Sequence, residues 1–346
     1  MFDHPDFDDH EGVHVFSDPA TGLRAIIAVH NTNRGPAAGG TRFWSYEDPK
    51  DAVTDALRLS KAMSFKNAMA GLDLGGGKAV ILRPEGDFDR EALFRAYGRA
   101  VEAVGGRYIT AEDVGVSPTD MRVIKTQTNH VAGLDEGPAA SGDPSPVTAE
   151  GVFRGIKVAV RHAMGLESLK GLRVAVQGLG HVGYGLCQHL HQAGAHLIVT
   201  DINPDVLKQA QNDFGAVVVK PDQIHAVTAD IFAPCALGGA VSNSTLPAIR
   251  ASIIAGAANN QLATSDMAEA CRQRGVLYAP DYVINAGGII NVAAEVSGNY
   301  DKVWVQEKLE GLENTLKTIF ERAAEQGVAT TVIADAMARE RLGVSS

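Results

Sequence analysis

The pattern of apolar and polar positions predicts a mixture of strands and helices in the first part of the chain. Two β-branched, apolar runs at residues 13–18 and 23–30 flank the turn-forming residues from Asp18 to Gly22, and together they predict a hairpin. Between Asp51 and about Met69, apolar and small residues recur every three or four positions, which is typical of a helix with one buried face. The other elements expected here are a strand at 79–83, a helix at 89–104 and a short strand at 108–111.

The second half alternates strand and helix more regularly. Glycines and prolines at 135–146 indicate a connection between domains, and a helix is expected to begin near Thr148. The elements predicted next are 173–177, 181–193, 196–200, 204–214, 216–219 and 229–233, followed by long helices at 301–327 and 330–342. Strands that alternate with helices predict a parallel sheet covered by helices on both faces.

A chain of 346 residues exceeds the usual single-domain size of roughly 100–200 residues, so two domains are expected. The fold class is therefore α/β with two domains. The first, at 1–140, is expected to carry a mixed sheet, and the second, at 141–327, is expected to be a Rossmann-type, doubly wound dinucleotide-binding domain.

A glycine-rich turn directly follows the strand predicted at 173–177. In this arrangement the first glycine permits a tight turn, the second admits a pyrophosphate to the backbone, and the third lets helix and strand pack closely. The turn consists of Gly178, Leu179, Gly180, His181, Val182 and Gly183. The alternative, a glycine-rich turn that binds nothing, is disfavoured because strand, turn and helix occur in register.

Asp201 stands at the end of the next predicted strand, eighteen residues after Gly183. A carboxylate at this point accepts hydrogen bonds from the adenine ribose hydroxyls and would repel a 2′-phosphate. NAD is therefore favoured over NADP as the cofactor. The alternative is a structural role for Asp201, as a helix cap before Pro204.

Composition and charge exclude several other classes of protein. The net charge of −10 opposes binding to nucleic acids or anionic membranes, and no stretch of about 18 apolar residues occurs. The three cysteines, Cys187, Cys235 and Cys271, lack the spacing of a disulfide framework or a metal site, so a cytoplasmic location is expected. Cys235 has no histidine partner nearby in the sequence and is interpreted as a core residue. His189 and His191 lie two apart on a predicted helix and cannot form a zinc pair, so no metal is expected.

Lys78 is the strongest candidate for acid–base chemistry. It follows three glycines and precedes an apolar strand, where partial loss of solvent would lower its pKa and allow it to act as a base. A phosphate-binding loop is the competing interpretation. That loop requires Ser or Thr after the lysine, whereas Ala79 stands here, and Gly71 is one residue out of register. Asp113, at the end of the strand predicted at 108–111, is either a site carboxylate or an exposed acidic turn.

Several long motifs, in order along the chain, resemble the Glu/Leu/Phe/Val amino-acid dehydrogenase family. In the second half they are most similar to its leucine dehydrogenase members. The motifs are 35–42, 66–78, 110–115, 145–148, 233–238, 256–261 and 280–288, and the likeness runs from about residue 12 to 340.

The resemblance implies NAD-dependent, reversible oxidative deamination of an apolar L-amino acid to a 2-oxo acid and ammonia. By analogy Lys66 pairs with the substrate carboxylate, and the backbone of Gly39 and Gly40 lines the site. Lys78 activates the water that attacks the imine, and Asp113 exchanges protons with the substrate amine. The first domain then binds the substrate and mediates assembly, with residues of about 328–346 packing back on it.

The resemblance also implies cofactor and pocket residues in the second half. Asn259 or Asn260 would hold the substrate amino group or the nicotinamide ribose, and Thr148 the carboxamide. The remaining cofactor contacts implied are those of Asp201, Ile202, Cys235 and Ala236.

The walls of the substrate pocket depart from the leucine pattern. Ala38 replaces a leucine common in leucine-type enzymes, and Ile289 stands where valine is frequent, while Ala111 matches the leucine type. Val292 is a further implied wall residue. A methylene in an apolar pocket changes specificity by only about 1–3 kcal/mol, so preference can move among leucine, isoleucine, valine and phenylalanine. Leucine or another branched-chain substrate is preferred, with phenylalanine as the alternative.

Two further expectations concern assembly and activity. The chain is expected to form a homo-oligomer. A dimer or tetramer through the first domain is favoured over an octamer, because the chain ends at Ser346, soon after its last helix, whereas many relatives carry a longer tail used in assembly. A regulatory protein that binds dinucleotide without turnover is the alternative from a different class, and the presence of Lys66, Lys78 and Asp113 argues against it.

Overall fold

A computed structural model of the protein describes residues 1–134, 142–296 and 300–344. The chain divides into two compact units. The first comprises Met1–Asp143, Asn291–Trp304 and Ala338–Ser346, and the second comprises Pro144–Ile290 and Val305–Met337.

The predicted domain limits stay a prediction, because the boundary between residues 140 and 141 and part of the connection at 135–146 lie outside the described residues. The two compact units differ from the predicted domains at 141–143, 291–304 and 328–337. Helical periodicity shows that such segments have a buried face, but it does not show which neighbour covers that face.

The first unit is built on a mixed five-stranded sheet. Its elements are β1 (Gly12–Asp18), β2 (Leu23–Asn31), β3 (Ala37–Trp44), α1 (Pro49–Met69), β4 (Gly75–Leu82), α2 (Arg90–Ala103), β5 (Tyr108–Glu112) and α3 (Pro118–Lys125). The strand order is β1-β2-β4-β3-β5, in which β1, β2 and β4 pair antiparallel and β3 runs parallel to both β4 and β5. The predicted hairpin and both predicted helices of this part are confirmed.

Each face of this sheet packs against its own helix. On one face, Ile27, Ala79 and Ile81 pack with Leu93 and Tyr97 of α2. On the other face, alternate residues of β2 and β4 pack with the start of α1, and this smaller cluster contains Ile26, Ala28, Val80 and Leu82 with Ala52 and Ala56. Because side chains alternate along a strand, Lys78 belongs to the face that α1 covers.

The glycines before Lys78 are not a turn, as the sequence suggested, but the first half of β4. The predicted strand at 79–83 therefore begins four residues earlier, at Gly75. A β-carbon on Gly76 would lie 2.0 Å from the backbone nitrogen of Ser64 in α1. The glycines thus allow the helix to approach the strand more closely than any side chain permits.

The second unit contains a six-stranded parallel sheet in the order β11-β10-β9-β6-β7-β8. Its strands are β6 (Arg173–Gln177), β7 (His196–Thr200), β8 (Val217–Val218), β9 (Ile231–Pro234), β10 (Ile253–Ile254) and β11 (Leu277–Tyr278). The helices from residue 145 onward are α4 (Ser145–Met164), α5 (His181–Gln192), α6 (Pro204–Phe214), α7 (Met267–Gln273) and α8 (Asp281–Ile284), followed by α9 (Gly287–Val296), α10 (Lys302–Gln326) and α11 (Thr330–Leu342). The part of α9 from Asn291, the start of α10 and the end of α11 belong to the first unit. The predicted two-domain α/β class is confirmed.

One predicted helix start is wrong. α4 begins at Ser145 and not near Thr148, because Pro146 fits the first turn of a helix, where its missing amide hydrogen is not needed. Thr148 lies within that first turn, and its hydroxyl donates to the Pro144 carbonyl at 3.0 Å. None of the helices in the described part of the chain is both long and apolar enough to cross a membrane.

Candidate active site and dinucleotide turn

The structure brings Lys78 and Asp113 together in the first unit. Lys78 is the fourth residue of β4, and Asp113 directly follows the end of β5. Lys78 Nζ donates to Asp113 Oδ2 at 2.5 Å. The lysine side chain is only 8% exposed and the aspartate side chain is 24% exposed. The pair is therefore largely buried, and the carboxylate is the more solvent-accessible of the two groups.

The surroundings set the protonation of this pair. Burial lowers the pKa of Lys78 below its ordinary value, although the neighbouring Asp113 opposes the shift. Burial alone would raise the pKa of Asp113, but Lys78 and Arg42 outweigh it and hold that pKa below its usual range. A lysine with lowered pKa beside an ionised carboxylate is suited to proton transfer near neutral pH.

Arg42 extends the pair into a chain of alternating charges, which the sequence did not predict. Its Nε lies 3.4 Å from Asp113 Oδ2, and its Nη1 donates to Asp55 Oδ2 of α1 at 2.7 Å. Tyr46 donates its hydroxyl to the same oxygen of Asp55, also at 2.7 Å. The signal available was an arginine inside a strand that otherwise reads as apolar and glycine-rich, where a charged side chain needs a partner.

Gly39 and Gly40 lie in β3, directly before Thr41 and Arg42. A β-carbon on Gly39 would lie 1.9 Å from the Gly77 carbonyl oxygen, and one on Gly40 would lie 2.8 Å from Cβ of Asp113. The Gly40 backbone is therefore immediately beside the acid of the Lys78–Asp113 pair. Tyr108 of β5 donates its buried hydroxyl to the Gly39 carbonyl at 2.7 Å, which fixes the orientation of that peptide.

Three other predicted substrate residues occupy the same unit. Ala38 of β3 is buried, at 4% exposure, and Ala111 of β5 is half-buried. Lys66 is half-buried in the last turn of α1, the helix that covers the Lys78 face of the sheet. The next residue, Asn67, donates to the Gly75 carbonyl at 2.6 Å and so anchors this end of α1 to the start of β4.

The glycine-rich turn of the second unit joins β6 to α5, as predicted. Gly178 has φ of +97°, a conformation that side chains rarely adopt, and a β-carbon on it would lie 2.8 Å from Ala236. A β-carbon on Gly183 would lie 2.1 Å from the Gly178 carbonyl oxygen. These two glycines are required by the backbone, whereas a β-carbon on Gly180 would meet only open space.

The turn has room and donors for a dinucleotide pyrophosphate. Within the described residues no side chain caps the start of α5 at Gly180, so the amides of His181, Val182 and Gly183 are aligned for an anion. Open space above Gly180 allows a close approach to the backbone. The residues present therefore fit the phosphate group of a dinucleotide.

Asp201 directly follows β7, as predicted, and its carboxylate is held by the backbone. One oxygen accepts the amide of Leu179 at 2.6 Å, and the other accepts the amide of Asn203 at 2.8 Å. A carboxylate has about four acceptor positions, so capacity remains for hydroxyl donors. Asn203, and not Asp201, caps α6, because its side chain accepts from Asp205. Ile202 is 94% exposed beside it.

The other predicted cofactor residues lie at the ends of strands or beside them. Cys235 follows β9 and donates its amide to the Gln177 carbonyl at 2.7 Å, while Ala236 is exposed. Burial raises the pKa of the Cys235 thiol to about 12, which disfavours a thiolate. Asn259 and Asn260 are both exposed, and Asn260 has φ of +52°. The Asn259 side chain accepts from Asn285 at 2.8 Å.

Thr148 lies against the start of α9, where a β-carbon on Gly288 would be 3.0 Å from the threonine hydroxyl oxygen. Ile289 and Val292, the predicted pocket residues of α9, are both half-buried. Their assignment to the substrate pocket stays a prediction.

The fold and these residues define a class of protein. A parallel sheet with a glycine-rich turn at a helix start is typical of dinucleotide-binding domains, and a buried lysine–aspartate pair on a mixed sheet is suited to acid–base chemistry. Comparison with known proteins identifies the family. Residues 10–130 match the sequence model described as the Glu/Leu/Phe/Val dehydrogenase dimerisation domain, and residues 199–342 match Glutamate/Leucine/Phenylalanine/Valine dehydrogenase.

Individual relatives cover nearly the whole chain. Leucine dehydrogenase of Geobacillus stearothermophilus is 48% identical over 342 residues, which cover 99% of this chain and 93% of that protein. L-tryptophan dehydrogenase of Nostoc punctiforme is 47% identical over 325 residues, covering 93% and 90% of the two chains. The crystal structure of L-tryptophan dehydrogenase from Nostoc punctiforme superposes with a TM-score of 0.86 at 44% identity, covering 96% of each chain.

This chain belongs to the Glu/Leu/Phe/Val amino-acid dehydrogenase family and is an amino-acid dehydrogenase. The resemblance read from the sequence motifs is confirmed, including its similarity to leucine dehydrogenase. The alternative of a regulatory protein without turnover is thereby set aside.

Proposed function

We propose that the protein catalyses the reversible, NAD-dependent oxidative deamination of an apolar L-amino acid, with leucine or another branched-chain residue preferred. The products are the 2-oxo acid and ammonia. The observation that carries this proposal is the 2.5 Å contact between Lys78 Nζ and Asp113 Oδ2 beside the Gly40 backbone. NAD, when bound, accepts a hydride from Cα of the amino acid.

Lys78 and Asp113 divide the proton transfers of this reaction. Loss of hydride from Cα leaves the substrate as an iminium, which must be attacked by water. Neutral Lys78 takes a proton from that water, and its lowered pKa makes the neutral form accessible. Asp113, which is ionised, exchanges protons with the substrate nitrogen. Burial of the pair keeps bulk water from competing for these protons.

Other residues bind and orient the substrate and cofactor. Lys66 pairs with the substrate carboxylate, and the Gly39 and Gly40 peptides, fixed by Tyr108, line the site. In the second unit, Asn260 holds the substrate amino group. Ala38, Ala111, Ile289 and Val292 form the walls against the substrate side chain.

The cofactor contacts are proposed on the same basis. The amides at the start of α5 hold the pyrophosphate, and Asp201 accepts from the adenine ribose hydroxyls and repels a 2′-phosphate. Thr148, Ile202, Cys235, Ala236 and Asn259 complete the cofactor site. The negative charge of Asp201 supports NAD over NADP.

An aromatic amino acid is the second candidate substrate. Ala38 is small where leucine-type enzymes commonly carry leucine, and one relative at 47% identity is named L-tryptophan dehydrogenase. The smaller wall residue leaves space for about three more carbon atoms of a substrate side chain. Each methylene changes the discrimination between substrates by about 1–3 kcal/mol, so this space can favour a larger side chain. Ala111, which matches the leucine type, supports the branched-chain preference.

We further propose a homo-oligomer in the cytoplasm. Residues 10–130 match a model described as a dimerisation domain, which supports assembly through the first unit. The three cysteines are free thiols, which suits a reducing compartment. Light scattering coupled to gel filtration measures the assembly, and a monomer at micromolar concentration would contradict it.

The deciding experiment is a panel of L-amino acids with NAD and, separately, NADP, followed by the absorbance of the reduced cofactor. We expect turnover with NAD and highest kcat/KM for leucine, isoleucine or valine. The reverse reaction, with the 2-oxo acid and ammonia, should also proceed. Phenylalanine or tryptophan exceeding leucine would replace the branched-chain proposal, and no turnover with any apolar amino acid would reject it.

A further inference from the structure

Arg42 is the nearest charged neighbour of the Lys78–Asp113 pair among the described contacts. Its Nε lies 3.4 Å from Asp113 Oδ2, the same oxygen that accepts from Lys78. The arginine side chain is 25% exposed, so three quarters of it is withdrawn from water. A largely buried guanidinium is retained only where acidic partners offset its loss of hydration.

The guanidinium is held from its other side by α1. Asp55 Oδ2 accepts from Arg42 Nη1 at 2.7 Å, and the same oxygen accepts from the hydroxyl of Tyr46 at 2.7 Å. With Nη1 fixed in this way, the planar guanidinium has little freedom to turn Nε away from Asp113. Its two acidic neighbours also raise the pKa of Arg42 against the effect of burial, so it stays charged.

The four side chains form a sequence of alternating charges, Asp55, Arg42, Asp113 and Lys78. When Lys78 is neutral, Asp113 loses the positive charge closest to it. A largely buried carboxylate without a cation is costly and would tend to take up a proton. Arg42 prevents this, because its charge does not change during the reaction. The same charge repels the proton on Lys78 and so favours its neutral form.

We propose that Arg42 is a positioning residue for this reaction: it holds the Asp113 carboxylate ionised and oriented toward Lys78 in both protonation states of the lysine. This inference rests on the roles proposed above for Lys78 and Asp113. Asp55 and Tyr46 act through Arg42 by fixing its guanidinium. Among the interactions described for Lys78, the charged groups besides Arg42 are Asp113 and, through a longer-range interaction, Asp55.

A purely structural role for Arg42, joining β3 to α1, makes a different prediction. Loss of a structural tie would lower the melting temperature and the amount of active enzyme, without moving the pH at which Lys78 titrates. A positioning role moves that pH, because removal of a fixed positive charge raises the pKa of the neighbouring lysine. The pH profile therefore separates the two roles.

The experiment compares wild type with Arg42→Gln, Arg42→Lys and, as a matched control, Arg95→Gln, which removes an exposed ion pair with Glu91 on α2. We expect Arg42→Gln to lower kcat/KM about tenfold or more and to move the acidic limb of its pH profile up by about one pH unit. Arg42→Lys should recover part of both effects. An unchanged acidic limb in an active Arg42→Gln enzyme would overturn the inference.

A second measurement does not depend on turnover. The rate at which acetic anhydride labels Lys78, followed by peptide mass spectrometry across pH, reports the neutral fraction of this lysine. The labelling midpoint should rise by about one pH unit in Arg42→Gln and stay at the wild-type value in Arg95→Gln. Equal midpoints in all variants would overturn the inference. Absence of turnover in wild type would instead reject the proposed function, while the labelling result still decides the effect of Arg42 on Lys78.

Discussion

Lys78 Nζ lies 2.5 Å from Asp113 Oδ2, although 35 positions separate the two residues in the chain. β3 lies between the strands that carry them and contributes Arg42 to the same carboxylate oxygen. The arrangement joins a lysine of lowered pKa to an acid that stays ionised. These are the properties that water activation beside an iminium requires.

Replacement of Lys78 by alanine should nearly abolish turnover. General acid–base groups contribute roughly 10²–10⁴-fold, so kcat should fall by at least about a hundredfold. Dinucleotide binding, measured by calorimetric titration, should not change, because the glycine-rich turn lies in the other unit. Lys50→Ala is the control, since Lys50 is an exposed residue of the first turn of α1. Loss of dinucleotide binding in Lys78→Ala alone would place Lys78 at the cofactor.

Replacement of Asp201 by asparagine should relax the choice of dinucleotide. Asparagine keeps an oxygen for the Leu179 amide but loses the negative charge that opposes a 2′-phosphate. We expect the ratio of kcat/KM for NADP to that for NAD to rise by about tenfold or more. Asp222→Asn, at an exposed site in the same unit, should leave the ratio unchanged. If the NADP-to-NAD ratio of kcat/KM were the same in both variants, Asp201 would have no role in the choice between the two cofactors.

Replacement of Ala38 by leucine should narrow the substrate range. The added carbons would reduce the space for large side chains, and each methylene is worth about 1–3 kcal/mol in an apolar pocket. The ratio of kcat/KM for phenylalanine to that for valine should fall at least about tenfold. Ala62→Leu, at an exposed position of α1, is the matched control. If kcat/KM fell equally for phenylalanine and valine, so that their ratio stayed constant, Ala38 would not line the pocket.

Periodic segments of this fold could be predicted from sequence, and close packing could not. The hairpin and α1 have clear periods of two and 3.6 residues, so their apolar positions identify them. Gly75 to Gly77 have no side chains to alternate, which hid the first half of β4. The partnership of Arg42 depends on which strand lies beside β3 and which helix covers it. No local pattern contains that information.

The close approach of α1 to β4 gives a stability prediction. Gly76→Ala would place a β-carbon 2.0 Å from the Ser64 nitrogen, so helix and strand must separate. We expect a loss of about 3 kcal/mol or failure to fold. Gly311→Ala is the contrasting variant, because Gly311 lies in α10 with open space around it. It should gain about 0.5–1 kcal/mol through its higher helix propensity. Equal melting temperatures for the two variants would contradict this packing.

The buried imidazole of His30 predicts that stability falls as the solution becomes mildly acidic. His30 is 5% exposed, contacts Ser64 Oγ at 2.8 Å through Nδ1, and has a pKa of about 4, chiefly because of burial. The pKa of this histidine in the unfolded chain is about 6.5. Between pH 6.5 and pH 4 the unfolded state therefore binds more protons at this residue than the folded state does. Stability is therefore complete above pH 6.5 and declines toward pH 4, by on the order of 3 kcal/mol from this group. His30→Gln should flatten the melting temperature between pH 7 and 4.5, whereas His196→Gln, at an exposed position, should follow wild type. Identical slopes in all three proteins would show that His30 does not control this pH dependence.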